Sequence, residues 1–198
     1  MSELPPNERP KRRKRYSGKN PRRFEDKYKE LAPEHYVDDV AKIVASGKTP
    51  AGTHRPIMVD EIMDYVAAQP GETAVDCTLG YGGHSRILVE ALQPGGKLYG
   101  LDVDPIEQPR TERRLRAAGH GTEAFQARHM NFAGLPKLIA QEQLEGFDIV
   151  IADLGVSSMQ IDNPERGFTF KADGPLDLRL NPGHGQSAAG LLTNTTVA

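Results

Sequence analysis

A glycine-rich stretch followed by an isolated acidic residue is the part of this sequence best suited to bind a small molecule. Gly80, Gly82 and Gly83 follow an apolar run directly, and a segment with helical spacing comes next. Such glycines let the backbone approach a ligand closely, and a helix start presents unpaired N–H groups to it. Asp102 ends the next apolar run, 19 residues after Gly83, where a carboxylate can accept hydrogen bonds from both ribose hydroxyls. The combination favours a nucleoside-containing ligand, whereas the glycines alone would also fit a structural turn.

The spacing of these glycines excludes two other nucleotide-binding patterns. A dinucleotide site expects G-x-G-x-x-G, and counting from Gly80 puts Ser85 where the third glycine belongs. No Gly-Lys-Ser/Thr follows the first apolar run, which excludes a P-loop. Asp76, just before the glycines, instead fits methyltransferases that bind S-adenosylmethionine. An oxidoreductase with an atypical loop is an alternative that the missing glycine disfavours.

Alternating strand and helix patterns surround the glycine stretch. The apolar spacing predicts strands over residues 73–79, 97–103, 123–128 and 147–154, and helices over residues 58–66, 85–92, 106–118 and 133–144. Strands separated by helices of this length imply right-handed crossovers and a parallel sheet covered on both faces. We therefore expect a doubly wound α/β fold with its ligand at the carboxyl ends of the strands.

Length and composition limit the class of protein. A chain of 198 residues with 37% hydrophobic content can bury one sizeable core. No apolar run is long enough to span a membrane, and the N-terminus lacks a signal-peptide pattern, so we expect a soluble, cytoplasmic protein without a membrane partner. The single cysteine and the spacing of the six histidines disfavour a metal site.

The charges are sorted along the chain. Residues 1–50 hold 13 Lys and Arg against 8 Asp and Glu, although the whole chain has a net charge of -2. We interpret residues 1–52 as a basic, largely disordered extension and residues 53–198 as the ligand-binding domain. Such a tail suits a nucleic acid partner, because its cations can displace counterions from phosphates. A solubilising tail is the alternative.

Four successive motifs carry a family resemblance. They are Gly80-Tyr81-Gly82-Gly83-His84-Ser85-Arg86, Leu101-Asp102-Val103-Asp104-Pro105, Asp153-Leu154-Gly155-Val156-Ser157-Ser158-Met159-Gln160-Ile161-Asp162, and Glu165-Arg166-Gly167-Phe168-Thr169-Phe170 with Asp173-Gly174-Pro175-Leu176-Asp177-Leu178-Arg179. Over about residues 54–192 the chain resembles the bacterial small-subunit ribosomal RNA cytosine-N(4)-methyltransferase H family, also called MraW. The resemblance implies a Rossmann-like, S-adenosyl-L-methionine-dependent methyltransferase fold. It also implies methylation of a cytosine amino group in 16S ribosomal RNA of the small ribosomal subunit.

The resemblance also assigns cofactor-binding residues. It places Gly82, Gly83 and His84 at the methionine end of the cofactor, Asp102 at the ribose, Phe132 at the adenine, and Asp153 and Gln160 in the rest of the site. For three of these residues the sequence alone also allows a structural role. Phe132 could be a core aromatic, Asp153 could cap a strand end, and His84 could support the helix start.

Catalysis and substrate binding are assigned less directly. Asp153, at the end of the fourth predicted strand, is the candidate catalytic residue, because a carboxylate there could accept a hydrogen bond from the reacting amino group. Arg166, Phe168 and Phe170 could hold a splayed-out base through a guanidinium and aromatic faces. They could equally anchor a long loop to the core.

The chain departs from the family pattern at its C-terminal end. Family members continue well beyond residues 185–189, whereas this sequence stops at Ala198. We therefore expect a C-terminally incomplete methyltransferase domain. A catalytically impaired RNA-binding or ribosome-assembly module that retains the cofactor fold is the alternative function.

Overall fold

Short apolar strands form a parallel sheet in the computed structural model, which describes residues 56–195. The strands are β1 (Thr73–Asp76), β2 (Lys97–Asp102), β3 (Phe125–His129) and β4 (Ile149–Ile151). Their order across the sheet is β3-β2-β1-β4, and every pair is parallel. This arrangement confirms the predicted α/β fold class.

Helices connect the strands and cover the sheet. They are α1 (Val59–Val66), α2 (Gly83–Ala91), α3 (Glu107–Ala117), α4 (Leu135–Glu142), α5 (Ser158–Asp162) and α6 (Ala188–Asn194), with 3₁₀ turns at Phe132–Gly134 and Pro164–Arg166. The four helices and four strands predicted from the spacing are all present. The patterns did not predict α5 and α6, which are short and follow the last strand. None of the helices in residues 56–195 is long and apolar enough to cross a membrane.

The core lies on both faces of the sheet, as alternating side chains require. Ala74 on β1 and Leu98 on β2 pack on one face with residues of α2 and α3. Their neighbours in sequence, Val75 and Tyr99, pack on the other face with Leu138 of α4. The two-sided burial explains why these strands read as continuous apolar runs.

The order of the strands reverses beside β1. The chain moves outward from β1 to β2 and β3, and then returns to place β4 on the opposite side of β1. In open α/β sheets a reversal of this kind opens a crevice at the carboxyl ends of the two strands. The ends of β1, β2 and β4 are therefore where a ligand site is expected.

The fourth strand is shorter than predicted. The sequence predicted a strand over residues 147–154, but pairing ends at Ile151. Its partner β1 ends at Asp76, whose carboxylate accepts the N–H of Thr78, so that the backbone of β1 turns away. Asp153 then donates its backbone N–H to the Thr78 hydroxyl at 2.7 Å. The predicted disorder of residues 1–52 lies outside the described residues, as does the boundary before residue 53.

Candidate functional site

The glycine stretch forms a tight loop between β1 and α2. Gly82 precedes α2 with a φ of 82°, a conformation that favours glycine. A Cβ at this position would lie 2.7 Å from the Thr111 methyl carbon, and one at Gly83 would lie 2.7 Å from the Pro56 ring. The loop is therefore packed from both sides, with the first N–H groups of α2 at its end.

Helix α3 braces the same loop from outside. The Thr111 hydroxyl donates a hydrogen bond to the carbonyl of Gly80, and Arg114 donates to the carbonyl of Tyr81 at 3.3 Å. The Arg114 guanidinium also lies 3.7 Å from the centre of the Tyr81 ring, in cation–π geometry. These contacts fix the backbone of the loop before any ligand binds.

Two carboxylates anchor the loop to the sheet. Asp76 is buried and accepts hydrogen bonds from the Ser85 hydroxyl at 2.6 Å and from the Thr78 N–H at 3.0 Å. Asp102 accepts hydrogen bonds from the N–H groups of Gly80 and Asp104, both at 2.8 Å. Burial raises the pKa of Asp76 and of Asp102, although these hydrogen bonds act in the opposite direction.

The seven predicted cofactor residues lie together. A single cavity of about 250 Å³ at the strand ends is lined by Gly82, Gly83, His84, Asp102, Phe132, Asp153 and Gln160. Phe132 is 43% exposed and belongs to the 3₁₀ turn after β3, so part of its ring faces open space. The Nε2 atom of His84 lies 3.1 Å from the Ile57 carbonyl oxygen, which ties the start of α2 to the segment before α1.

The three predicted substrate residues lie outside this cavity. The Arg166 guanidinium is buried and forms an ion pair with Asp104 at 2.8 Å. It also donates to the carbonyl oxygen of Leu180 at 2.8 Å. This geometry matches the alternative interpretation, in which Arg166 anchors a long loop. Phe168 is half-buried and Phe170 is 98% exposed.

Sequence reasoning missed Asp104, which is fully buried beneath the site. Its carboxylate accepts hydrogen bonds from Gln160 at 2.9 Å, from Arg166 at 2.8 Å and from the Ile106 N–H at 2.9 Å. Burial acts to raise the pKa of Asp104, but the bonds from Gln160 and Arg166 outweigh it and lower the pKa overall. A second carboxylate two residues after Asp102 was the available signal.

Glu107 and Thr78 were also missed. Glu107 lines the cavity from the first turn of α3, and Thr78 lines it from the loop after β1. No spacing rule pointed to either residue. No cluster of three or more His, Cys, Asp or Glu side chains in residues 56–195 is arranged to hold a metal ion.

The residues of the cavity fit an adenosyl cofactor. Asp102 presents a fixed carboxylate, and each carboxylate oxygen can accept a second hydrogen bond beyond the one it already has. Phe132 offers an aromatic face to a planar base, and the α2 N-terminus offers N–H groups to an anion. One buried carboxylate oxygen of Glu107 has no hydrogen-bond partner within residues 56–195.

Comparison with known proteins gives a consistent family. The sequence pattern described as the MraW methylase family matches residues 51–198. Ribosomal RNA small subunit methyltransferase H 1 of Agathobacter rectalis is 53% identical over 184 residues, which cover 93% of this chain and 52% of that protein. Ribosomal RNA small subunit methyltransferase H 2 of Alkaliphilus metalliredigens is 52% identical over 185 residues, with the same coverage.

Two features of these alignments matter for the chain as a whole. The chain spans about half the length of the curated relatives that it matches. An alignment of 184 residues also extends into residues 1–52, so part of the basic extension has a counterpart in the first relative.

Among solved structures, a SAM-dependent O-methyltransferase from Thermotoga maritima is 18% identical to this chain, with a TM-score of 0.36. The match covers 39% of this chain and 29% of that protein.

Proposed function

We propose that the chain, which belongs to the MraW methylase family, binds S-adenosylmethionine. We further propose that it methylates the exocyclic amino group of a cytosine in small-subunit ribosomal RNA. One observation carries the proposal. The seven residues assigned to the cofactor come from four separate stretches of chain and line one cavity. Membership confirms the resemblance drawn from the motifs, and it supports S-adenosylmethionine as the cofactor.

The cavity offers a different group to each part of this cofactor. Asp102 accepts hydrogen bonds from the ribose hydroxyls, because its carboxylate is held at the end of β2. Phe132 lies against the adenine. The α2 N-terminus, with Gly83 and His84, faces the methionine end, where N–H groups favour a carboxylate.

Methyl transfer depends chiefly on position. Bound S-adenosylmethionine supplies a methyl group on a positively charged sulfur, which keeps the bonding electron pair as the new N–C bond forms. Asp153 follows β4 with an exposed side chain, and its backbone N–H is held by the Thr78 hydroxyl. Its carboxylate accepts a hydrogen bond from the cytosine amino group and disperses the charge that develops on the nitrogen, which releases one of its protons to water as the N–C bond forms.

Two observations support ribosomal RNA as the partner: the names of the relatives and the positive charge of residues 1–50. The relatives named above are ribosomal RNA small subunit methyltransferases. The basic segment supplies cations for phosphate contacts, so deleting residues 1–30 should flatten the salt dependence of RNA binding. An enzyme acting on small ribosomal subunits works in the cytoplasm, where bacteria assemble them.

Calorimetric titration with S-adenosylhomocysteine tests the cofactor site. Asp102→Ala should weaken binding about 10- to 150-fold, the effect of losing a charge-assisted hydrogen bond worth about 1.5 to 3 kcal/mol. Asp148→Ala is the matched control, since Asp148 accepts the Thr73 N–H at 2.8 Å at the opposite end of β1. Equal affinity in the Asp102 variant and the control would remove Asp102 from the site.

Methyl transfer to immature small ribosomal subunits tests the reaction itself. The position of Arg166, Phe168 and Phe170 outside the cavity favours one second candidate, a module that binds cofactor and RNA without turnover. Single-turnover transfer of a labelled methyl group, by this chain and by a version extended to the length of the relatives, separates the two. Transfer by the extended version alone would support the second candidate for the isolated chain.

A further inference from the structure

Glu107, in the first turn of α3, has a carboxylate of which only one oxygen has a hydrogen-bond partner within residues 56–195. The side chain is buried, with 7% of the residue exposed, and it lines the strand-end cavity. One oxygen, Oε1, accepts a hydrogen bond from the Arg110 guanidinium at 2.8 Å. The other, Oε2, is buried and has no hydrogen-bond partner within residues 56–195.

A buried carboxylate oxygen without a partner is costly. Leaving such an acceptor unsatisfied is unfavourable, and it is more unfavourable for a charged group than for a neutral one. Native proteins satisfy nearly all buried polar atoms, and exceptions often mark a ligand site. Since Glu107 lines the cavity, a ligand bound there lies against this side chain and can offer it a hydrogen-bond donor.

The position of Glu107 indicates which part of the ligand it meets. The Asp104 N–H donates to Asp102, and the Glu107 N–H donates to Asp104 at 3.3 Å. These two bonds link the Glu107 backbone through Asp104 to the Asp102 carboxylate, and both Asp102 and Glu107 line the same cavity. One turn further along α3, the Thr111 hydroxyl contacts the Gly80 carbonyl. Glu107 therefore lies near the β2 end, beside the glycine loop.

We propose that Glu107 is a second ribose acceptor, whose Oε2 atom accepts a hydrogen bond from one hydroxyl of the bound adenosyl cofactor. The inference rests on the proposed function, because it presupposes a nucleoside in the cavity. Arg110 keeps the carboxylate oriented by holding Oε1, while Asp102 accepts from the ribose independently. Discrimination between ribose and deoxyribose is then divided between two carboxylates.

The test compares S-adenosylhomocysteine with its 2′-deoxy and 3′-deoxy analogues by calorimetry. Glu107→Ala should bind S-adenosylhomocysteine about 10-fold more weakly than the unmodified chain. With the analogue that lacks the hydroxyl facing Glu107, the same substitution should change affinity less than about twofold. Glu107→Gln, which keeps the volume and one acceptor oxygen, should show the same pattern with a smaller loss.

Two control variants separate this role from a structural one. Arg110→Ala removes the ion pair but keeps the acceptor, so affinity should fall less than about threefold. Glu112→Ala, one turn later and paired with Arg116 at 3.3 Å, should bind like the unmodified chain. Thermal unfolding of each variant shows whether it is folded.

Three results would overturn the proposal. If Glu107→Ala binds S-adenosylhomocysteine normally, or loses affinity equally for both deoxy analogues, Glu107 does not contact the ribose. The proposed cofactor site is unaffected by that result. If Glu107→Ala does not fold, a Glu107→Gln variant without analogue dependence likewise removes Glu107 from the ribose. If the unmodified chain itself fails to bind S-adenosylhomocysteine, the proposed function fails together with this inference.

Discussion

The two walls of the cavity are held in different ways. The glycine wall, residues 77–84, is bonded to β1 through Asp76, to β2 through Asp102 and to α3 through Thr111. The distal segment, residues 153–180, is attached at its start by the Asp153 N–H, which donates to the Thr78 hydroxyl, and further along by a buried polar cluster. In that cluster Asp104 accepts hydrogen bonds from Gln160 and Arg166.

Burial follows the same division. Side chains of the glycine wall and its supports are largely buried, whereas the distal segment exposes several large apolar residues, among them Leu154, Val156, Phe170, Leu176 and Leu178. The difference teaches that the glycine wall is fixed by the strands and the helix next to it. Beyond Asp153, the distal segment is held to the sheet side of the cavity by the Asp104 cluster, which an experiment can remove.

The largest expected effect is the loss of this cluster. Arg166→Met should lower the free energy of unfolding by about 3 to 5 kcal/mol, because it leaves the buried Asp104 carboxylate without its cation. Urea unfolding measures the change. Arg86→Met is the control, since Arg86 pairs with Glu90 at 3.7 Å on the exposed face of α2 and should cost at most about 0.5 kcal/mol.

A double variant sharpens this test. Asp104→Asn combined with Arg166→Met removes both charges, so it should be more stable than Arg166→Met alone. Hydrogen exchange should show faster opening in residues 158–180 of the single variant and little change in residues 77–84. Equal acceleration in both walls would mean that the cluster supports the whole domain and not the distal segment alone.

A smaller effect is expected from altering the glycine wall. Gly82→Ala places a Cβ 2.7 Å from the buried Thr111 methyl carbon, at a φ of 82°, and should cost about 2 to 4 kcal/mol of stability. Gly95→Ala is the matched control, because its φ is 86° and its nearest neighbour lies 3.9 Å away. Gly95→Ala should lower the free energy of unfolding by only ~1 to 2 kcal/mol, which is the cost of placing alanine at a positive φ.

Cofactor affinity distinguishes the two glycine variants further. Thr111 bonds to the Gly80 carbonyl, so a displaced Thr111 should shift the loop and weaken S-adenosylhomocysteine binding at least about 10-fold in Gly82→Ala. Gly95→Ala should bind normally, because it lies in the turn before β2, away from the cavity. Equal affinities would show that the loop tolerates the shift.

The glycine wall was also the more predictable of the two. Apolar runs and glycines identified β1, β2 and the loop from residues adjacent in sequence, and Asp102 followed from a fixed spacing. Phe132, Asp153 and Gln160 came from the family motifs alone, because residues after different strands share no local signal. The sequence left two roles open for Arg166, a base contact and a loop anchor, because it does not reveal the buried partner, Asp104, which lies 62 residues away.

Asp76 and Asp104, the buried carboxylates that support the two walls, should contribute to stability with opposite pH dependence. The pKa of Asp104 is lowered, so its contribution to stability is present above about pH 4, the unfolded value, and is lost as pH falls through the folded pKa. Burial raises the pKa of Asp76, so its contribution is present below about pH 4 and is lost as pH rises through the folded pKa.

The smallest expected effect is a pair of opposite pH dependences in the free energy of unfolding. Urea unfolding of the unmodified chain and of two variants between about pH 3 and pH 7 measures them. The stability difference between the unmodified chain and Asp104→Asn should grow as pH rises toward about 4 and then stay level, since only the ionised carboxylate pairs with Arg166. The difference from Asp76→Asn should shrink as pH rises above about 4, because ionising the buried Asp76 carboxylate is unfavourable. Each pKa unit corresponds to about 1.4 kcal/mol. Parallel slopes would mean that the two carboxylates experience similar environments, against the contrast between the walls.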